Sequence, residues 1–323
     1  MHAPLLSPLQ KHLLDGWQRD LPLVSRPFRA IAETLGFDEE AVIAAGADLL
    51  ARGIVSRLGL VVRPNTAGAS TLAALACSPA EVEEMAAIVS AEAGVNHNYE
   101  REHPELPIWF VATGARREDV DATLARIAER TGREVLDLRL EREYRIDLGF
   151  PLEGPCRPHD HRPASRAASD VERRLLAELA GGLPMVARPW ARVGERIGLD
   201  EAAVLETLAG ALAAGIVKRI GFVVRHRPLG FSANAMVVFD VADDMVDRVA
   251  EAFLDAEQVT LLYRRRRAGA RWPYALYAMI HGRDRAVVTA QVGDLLARWG
   301  EPLDHRILFS TRCFKQTGAR LAS

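Results

Sequence analysis

Two clusters of polar and aromatic residues hold most of the side chains that could do chemistry. The first contains His97, Tyr99, Arg101, His103 and Trp109. The second contains Tyr263, Arg265, Trp272, Tyr274 and His281. Guanidinium groups bind carboxylates through two parallel hydrogen bonds, aromatic faces stack on flat rings, and imidazole transfers protons near neutral pH. The two clusters therefore favour a site for a flat ligand that carries several carboxylates.

His97 is the preferred proton donor of the first cluster, because the pKa of free imidazole lies nearest the working pH. Tyr99 is placed to donate a proton or to orient its neighbours, and Arg101 to anchor a carboxylate. Arg265 takes the place of Arg101 in the second cluster. The residue that faces His97 there is near Leu261, so the clusters have diverged. We therefore expect one principal catalytic site, with the other cluster completing its wall or binding without turnover.

The clusters occupy matching places because the chain contains one sequence pattern twice. The segment Leu21-Pro22-Leu23-Val24-Ser25-Arg26-Pro27-Phe28 returns as Leu183-Pro184-Met185-Val186-Ala187-Arg188-Pro189-Trp190, at an offset of 162 residues. Near the ends of the copies, residues 143–146 match residues 312–315 less securely. Three prolines between Gly154 and Pro163 predict a linker between the copies.

Each copy is predicted to contain two domains, so the fold class is α+β. In the first part, helical spacing of apolar residues and a short following strand indicate a winged helix-turn-helix. The second part alternates strands and helices in the order βαββαβ, a ferredoxin-like arrangement. The predicted boundaries are 1–64 and 65–150 for the first copy, 151–167 for the linker, and 168–226 and 227–323 for the second copy.

Several predicted elements bear on function. The third helix of each copy is predicted over Asp38–Arg52 and Asp200–Ala214, with the two aspartates as N-caps. Long helices are predicted over 117–131 and 284–299. The last strand of each copy is predicted over 134–140 and 303–309.

The third helices would read DNA in a helix-turn-helix protein, but their charge opposes that role. The first contains Asp38, Glu39, Glu40 and Asp48 against Arg52 alone, and the second has no basic residue. DNA phosphates require cations, and base edges require Arg, Lys, Asn or Gln. We therefore expect no DNA binding, and expect the small helical domains to serve as scaffold and interface.

Composition excludes several other classes. The 323 residues include 41 Lys+Arg and 43 Asp+Glu, a balance unlike that of a nucleic-acid binder. No run of about 18 apolar residues and no signal peptide is visible, which predicts a cytoplasmic protein that does not contact a membrane. Three distant cysteines suit a reducing compartment. Cys156, His159 and His161 have metal-like spacing but lie in the proline-rich linker, so no metal site is predicted.

The domain order resembles that of the Lrp/AsnC transcription regulators, whose second domain binds a small effector and dimerises. The motifs resemble the siroheme decarboxylases more closely. Residues 94–103 with Trp109-Phe110 resemble the His-Asn-Tyr-x-Arg signature of that family. Residues 263–265, 272–282 and 308–315 resemble the version found in its partner subunit. The resemblance covers nearly the whole chain and corresponds to the form in which the two subunits are fused.

The resemblance implies conversion of two acetate side chains of siroheme to methyls, which gives didecarboxysiroheme on the route to haem d1. Such an enzyme is a non-oxidative carboxy-lyase and needs no cofactor, because the iron belongs to the substrate and the macrocycle can accept electrons. Its catalytic residues would be His97, Tyr99 and His281, the last as an axial iron ligand or a second acid. Its substrate-binding residues would be Arg101, His103, Trp109, Tyr263, Arg265, Trp272, Tyr274 and Lys315.

An arginine clamped on the carboxylate that leaves would stabilise the ground state, so arginines should hold the carboxylates that remain. Apolar and aromatic side chains should surround the departing group. The two copies would pair as a pseudo-dimer, and a further oligomer or related decarboxylase subunits stay open. Two other functions also stay open: an Lrp/AsnC-type regulator that senses a tetrapyrrole or another small ligand, and a carrier that delivers siroheme unchanged.

Overall fold

The computed structural model describes residues 5–146, 149, 164–225 and 227–318. They divide into two compact units. One contains the described parts of Met1–Ala69, Gly149–Gly230 and Gly318–Ser323, and the other contains Ser70–Leu148 and Phe231–Thr317. Each unit therefore gathers the same part of both copies. Most of the predicted linker, with Cys156, His159 and His161, lies outside the described residues.

Ten α-helices and ten strands follow one another along the described residues. The first copy contains α1 (Pro8–Gly16), α2 (Pro27–Leu35), α3 (Glu39–Ala51), β1 (Val55–Val62), β2 (Ala69–Leu75), α4 (Val82–Ala91), β3 (Val95–Arg101), β4 (Ile108–Gly114), α5 (Arg117–Thr131) and β5 (Val135–Ile146). The second contains α6 (Asp170–Glu178), α7 (Pro189–Ile197), α8 (Glu201–Ala213), β6 (Val217–Val224), β7 (Ala233–Asp240), α9 (Val246–Leu254), β8 (Val259–Arg265), β9 (Leu276–Gly282), α10 (Arg285–Trp299) and β10 (Asp304–Gln316).

Capping residues set the ends of the short helices in the first unit. Pro27 and Pro189 occupy the first turns of α2 and α7, where a missing N–H costs nothing. Each of these helices ends at a glycine with φ of +72°, a conformation that glycine adopts without strain. Asp200 caps α8 by accepting a 2.7 Å hydrogen bond from the Ala203 N–H. Asp38 occupies the N-cap position of α3, but its side chain makes no capping hydrogen bond.

The wing of each helix-turn-helix is completed by the other copy. β1 and β6 pair antiparallel in a two-stranded sheet, from Val55 opposite Val224 to Val62 opposite Val217. The third helices also contact the other copy, since Ser25 Oγ donates to Glu201 at the start of α8 over 2.9 Å. These contacts make the helix-turn-helix pair one interlocked unit.

The second unit is built on a closed barrel of eight strands, in the order β10-β3-β4-β2-β5-β8-β9-β7. Each copy contributes four neighbouring strands in the ferredoxin-like order. The last strands, β5 and β10, extend past the predicted ends at 140 and 309. In β5, residues 140–146 pair with β8, and in β10, residues 310–316 pair with β3. These extensions join the two copies and close the barrel.

The barrel register corrects the sequence match between the ends of the copies. Ser310 lies opposite Arg101 as Leu140 lies opposite Arg265. Residues 143–146 therefore correspond to 313–316, and the sequence match with 312–315 was wrong by one residue. Each ladder contains two irregularities in this stretch, and sequence similarity is low there, so similarity alone could not place the pairing.

Large side chains from both copies fill the barrel interior, as its closed form requires. They form one buried cluster, called here the barrel core: Leu72, Ala74, Leu106, Trp109, Leu136, Leu138, Met236, Val238, Trp272, Tyr274, Tyr277 and Leu308. In the second copy, another buried cluster lies between the outer face of the strands and the helices α9 and α10. Inward positions beyond the barrel core are available for polar side chains.

Replacement of Gly221 by alanine should destabilise the first unit by about 1–3 kcal/mol, because the added Cβ would overlap the main chain of Trp17 and Gln18. The paired residue Gly59 provides a matched control, since a Cβ there would lie no closer than 3.4 Å to the Arg57 side chain. Differential scanning calorimetry of Gly221→Ala and Gly59→Ala should show a much lower melting temperature for the first variant alone. Equal melting temperatures would contradict the packing described.

Candidate active site

Strand β3 presents a histidine, a tyrosine and an arginine on one face. Asn98 points to the outer face, where its amide donates to the Ala86 carbonyl of α4 at 3.0 Å. Because side chains alternate along a strand, His97, Tyr99 and Arg101 point into the barrel. The strand therefore positions the predicted catalytic pair and the predicted carboxylate anchor side by side.

These three side chains form a connected row. His97 Nδ1 lies 3.3 Å from the Tyr99 hydroxyl, and the two rings stack with centroids 6.1 Å apart. The Arg101 guanidinium carbon lies 5.7 Å from the centroid of the Tyr99 ring. Arg101 is buried, and its Nη1 donates to the Leu308 carbonyl over 3.3 Å. The guanidinium is thus held at the edge of the barrel core.

His281 of the second copy lies at the same end of the barrel. Arg101 of β3 and Ala235 of β7 pair with two consecutive residues of β10, one on each side of that strand. Asn234, which precedes Ala235, pairs in turn with His281 of β9. Met279, two residues from His281 on the same face of β9, has its sulfur 3.9 Å from Arg101 Nη2. The predicted catalytic residues of both copies are therefore brought together, and the end that they line is called here the Arg101 end.

A threonine contacts His281. Thr260, on β8, is buried, and its hydroxyl lies 3.0 Å from His281 Nδ1 and donates to the Met279 carbonyl over 3.1 Å. On the other side of His281, the buried Oδ1 of Asn234 has no hydrogen-bond partner among the described residues. The imidazole is therefore held at Nδ1 by the Thr260 hydroxyl.

Tyr263 and Arg265 lie at the opposite wall, because β8 is four strands away from β3 in the barrel order. The local geometry repeats that of Arg101: Arg265 Nη1 donates to the Leu138 carbonyl over 3.1 Å, and its guanidinium lies 5.0 Å from the Tyr263 ring centroid. Burial lowers the pKa of Arg265 and raises the pKa of Tyr263. Because β3 and β8 run in the same direction with the same register, Tyr263 and Arg265 lie across the barrel from Tyr99 and Arg101, at the same end.

The register shows how the two copies differ. Leu261 occupies on β8 the position that His97 occupies on β3, as the sequence match indicated. Thr113 occupies on β4 the position that His281 occupies on β9. Each histidine position therefore carries a side chain without an acid–base group in the other copy.

The aromatic candidates belong to the barrel core. Trp109 and Trp272 lie with ring centroids 5.0 Å apart, and Trp272 lies 4.9 Å from Tyr274. Their polar atoms are used within the protein: Trp109 Nε1 donates to the Leu106 carbonyl, and Trp272 Nε1 to the Tyr277 hydroxyl, each over 2.7 Å. These contacts account for the burial of the aromatic residues, and a ligand would meet only the faces that border the Arg101 end.

His103 fastens the hairpin loop between β3 and β4. Its Nδ1 accepts hydrogen bonds from the Glu105 and Leu106 N–H groups over 3.2 and 3.0 Å, and its ring packs edge-on against Trp272. Burial and the nearby Arg306 cation lower the pKa of His103. The loop thus depends on an uncharged imidazole.

Lys315 contacts the end of a helix. Its Nζ donates to the Ser90 and Glu92 carbonyls at the C-terminus of α4, over 2.8 and 3.0 Å. Arg145 makes the matching contacts with Leu254 and Ala256 after α9. Because a cation at a helix C-terminus is stabilising, these contacts give Lys315 a structural role that the sequence analysis did not foresee.

Sequence reasoning missed several residues at these sites. Thr260 and Asn234 look like ordinary strand residues in the sequence, and only the pairing of three strands places them beside His281. Tyr277 lies within the motif at residues 272–282, but its hydroxyl meets Trp272 only because the loop between the two residues folds back. Arg306 donates to the Tyr274 hydroxyl over 2.6 Å from a strand whose register the sequence did not reveal.

Among the described residues, no three or more His, Cys, Asp or Glu side chains are grouped so that they could hold a metal ion. No helix in the described part of the chain is long and apolar enough to cross a membrane.

Known protein families match the same parts of both copies. Residues 67–145 and 228–315 match the model of the AsnC-like ligand-binding domain, and residues 10–55 and 172–217 match that of the siroheme decarboxylase NirDL-like HTH domain. The siroheme decarboxylase NirDL subunit of Paracoccus pantotrophus is 44% identical over 97% of each chain. The crystal structure of the siroheme decarboxylase NirDL superposes with a TM-score of 0.69 and 26% identity, over 98% of this chain and 95% of the other.

A second solved structure, the siroheme decarboxylase NirDL in co-complex with an iron-uroporphyrin III analogue, superposes with a TM-score of 0.66 and 26% identity. It covers 97% of this chain and 93% of the other.

Lys315→Met should lower the free energy of unfolding by about 1–2 kcal/mol, because the last carbonyls of α4 lose their cation. Lys315→Arg should keep most of the stability, since Arg145 makes the same contacts in the other copy. Urea denaturation of the three proteins measures the difference. Unchanged stability together with weaker tetrapyrrole binding would instead support the ligand contact expected from the sequence.

The pH dependence of stability should carry a contribution from His103. Its pKa in the folded protein is below the unfolded value of about 6.5, so its contribution is fully present above that pH and is lost as the pH falls through the folded pKa. His103→Asn keeps an acceptor but does not titrate. Its melting temperature should therefore fall less than that of the wild type between about pH 7.5 and 5.5. The exposed His12→Asn serves as control, and parallel curves for all three proteins would contradict this assignment.

Proposed function

The chain belongs to the siroheme decarboxylase family, and we propose that it converts two acetate side chains of siroheme to methyls. The observation that carries this proposal is the grouping of His97, Tyr99, Arg101 and His281 at one end of the barrel. The product is didecarboxysiroheme, an intermediate on the route to haem d1.

Each decarboxylation replaces a carboxylate by a proton. The C–C bond to the carboxylate breaks, CO2 leaves, and the bonding electron pair stays on the methylene carbon, where the conjugated macrocycle can delocalise it. A proton delivered to that carbon completes the methyl group. The protein must therefore hold the macrocycle, surround the departing carboxylate with a weakly polar environment, and supply the proton.

The Arg101 end contains side chains suited to each task. His97, hydrogen-bonded to Tyr99, can carry a proton to the site, and the tyrosine hydroxyl can relay or orient it. Arg101 is already turned toward the Leu308 carbonyl and packs on the Tyr99 ring, so it suits a carboxylate that stays on the ligand. Met279 provides apolar surface beside the guanidinium. Cation and apolar surface thus lie side by side, as differential stabilisation of the transition state requires.

We infer one catalytic site, built from both copies at the Arg101 end. His97 comes from the first copy and His281 from the second, whereas Leu261 of the second copy and Thr113 of the first fill the equivalent positions. Each copy therefore supplies one imidazole, the group that titrates near neutral pH. Tyr263 and Arg265, on the opposite wall of the barrel, fit a role in completing the wall of this site.

Anaerobic incubation of the purified protein with siroheme tests the activity. Mass spectrometry of the extracted tetrapyrrole should show the loss of two CO2, with a species that has lost one as an intermediate. Tight stoichiometric binding with an unchanged mass would refute the decarboxylase and indicate a carrier. A salt-dependent shift of duplex DNA without any product would indicate a regulator.

His97→Ala should lower kcat by about 10²–10⁴-fold, the usual contribution of a general acid, with a much smaller change in siroheme affinity. Leu261→Ala, at the matching position of the other copy, is the control and should keep kcat close to that of the wild type. Steady-state kinetics and an absorbance titration provide the two quantities. An equal loss of affinity and kcat in His97→Ala would reassign this histidine to binding.

A further inference from the structure

We propose that Thr260 is a positioning residue that determines which nitrogen of His281 faces the substrate. This role rests on the proposed function, because it assigns His281 a part in the reaction. Thr260 belongs to β8 and His281 to β9, so the contact is made within the second copy and acts at the Arg101 end.

The hydrogen-bond pattern around Thr260 has one consistent assignment of protons. Its hydroxyl lies 3.1 Å from the Met279 carbonyl and 3.0 Å from His281 Nδ1. A hydroxyl has one proton, and a carbonyl can only accept, so the bond to Met279 uses the threonine proton. Nδ1 of His281 must then carry a proton and donate it to Thr260 Oγ.

This assignment defines what His281 can offer. In a neutral imidazole with the proton on Nδ1, the lone pair is on Nε2. Nε2 is then the atom that can accept a proton, transfer one after protonation, or bind the iron of a tetrapyrrole substrate. Without the threonine hydroxyl, both tautomers of the ring would be populated and its orientation would be less restricted.

The other copy shows that the barrel does not need this contact in order to form. Asn96 occupies on β3 the position of Thr260, and Thr113 occupies on β4 the position of His281. The Thr113 hydroxyl donates instead to the Gly94 carbonyl over 3.3 Å. The threonine–histidine pair is therefore present in the second copy, and the first copy forms the same strands with other side chains at these two positions.

The test compares Thr260→Val, which has a similar shape but no hydroxyl, with Thr260→Ser, which restores the hydroxyl. Thr113→Val is the matched control, since it removes a buried threonine hydroxyl that donates to the Gly94 carbonyl and not to an imidazole. Melting temperatures of the three variants show whether any of them is misfolded. The first readout needs no substrate: ¹⁵N NMR of histidine-labelled protein, with the His281 signals assigned by their loss in His281→Gln.

In the wild type and in Thr260→Ser, the neutral His281 ring should show the tautomer with the proton on Nδ1. Thr260→Val should show a mixture, while Thr113→Val should match the wild type. With siroheme, Thr260→Val should lower kcat by about 10–100-fold with KM within about twofold, and Thr260→Ser should restore most of kcat.

Two results would overturn the positioning role. One is a wild-type tautomer ratio and wild-type kcat in folded Thr260→Val, and the other is a Thr260→Ser variant as impaired as Thr260→Val. If the wild type binds siroheme without releasing CO2, the proposed function fails, and the NMR comparison still decides whether Thr260 sets the tautomer of His281.

Discussion

The shared last strands are the constraint on which the barrel depends. An isolated ferredoxin-like sheet leaves unpaired N–H and C=O groups along its edges. Here the second half of β5 satisfies the edge of β8, and the second half of β10 satisfies the edge of β3. The same pairing places β3 of one copy beside β10, β7 and β9 of the other. The Arg101 end is therefore assembled by the same contacts that close the barrel.

A duplicated chain can keep its fold while its two halves acquire different roles. The strands repeat with the same register, and both arginines donate to a carbonyl of the neighbouring last strand. The histidines break this symmetry, since one is on the second strand of its copy and the other on the third strand. Both face the Arg101 end, so fusion of the copies allows each to specialise without loss of the barrel.

Local signals in the sequence were sufficient for the helices and for the repeat. Helix α5 has the predicted bounds, and α10 begins one residue later, after the Asp284 cap. The last strands were predicted too short, because their polar extensions acquire partners only from the other copy. For the same reason His97, Tyr99 and Arg101 could be grouped from their spacing, whereas Thr260 beside His281 depends on tertiary pairing.

A crystal structure of the protein with iron-uroporphyrin III would show whether one site is built from both copies at the Arg101 end. We expect a macrocycle that contacts β3 and β9, with one carboxylate on Arg101 and with His97 and His281 facing the ring. A macrocycle bound elsewhere, without contact to His97, Arg101 or His281, would contradict it.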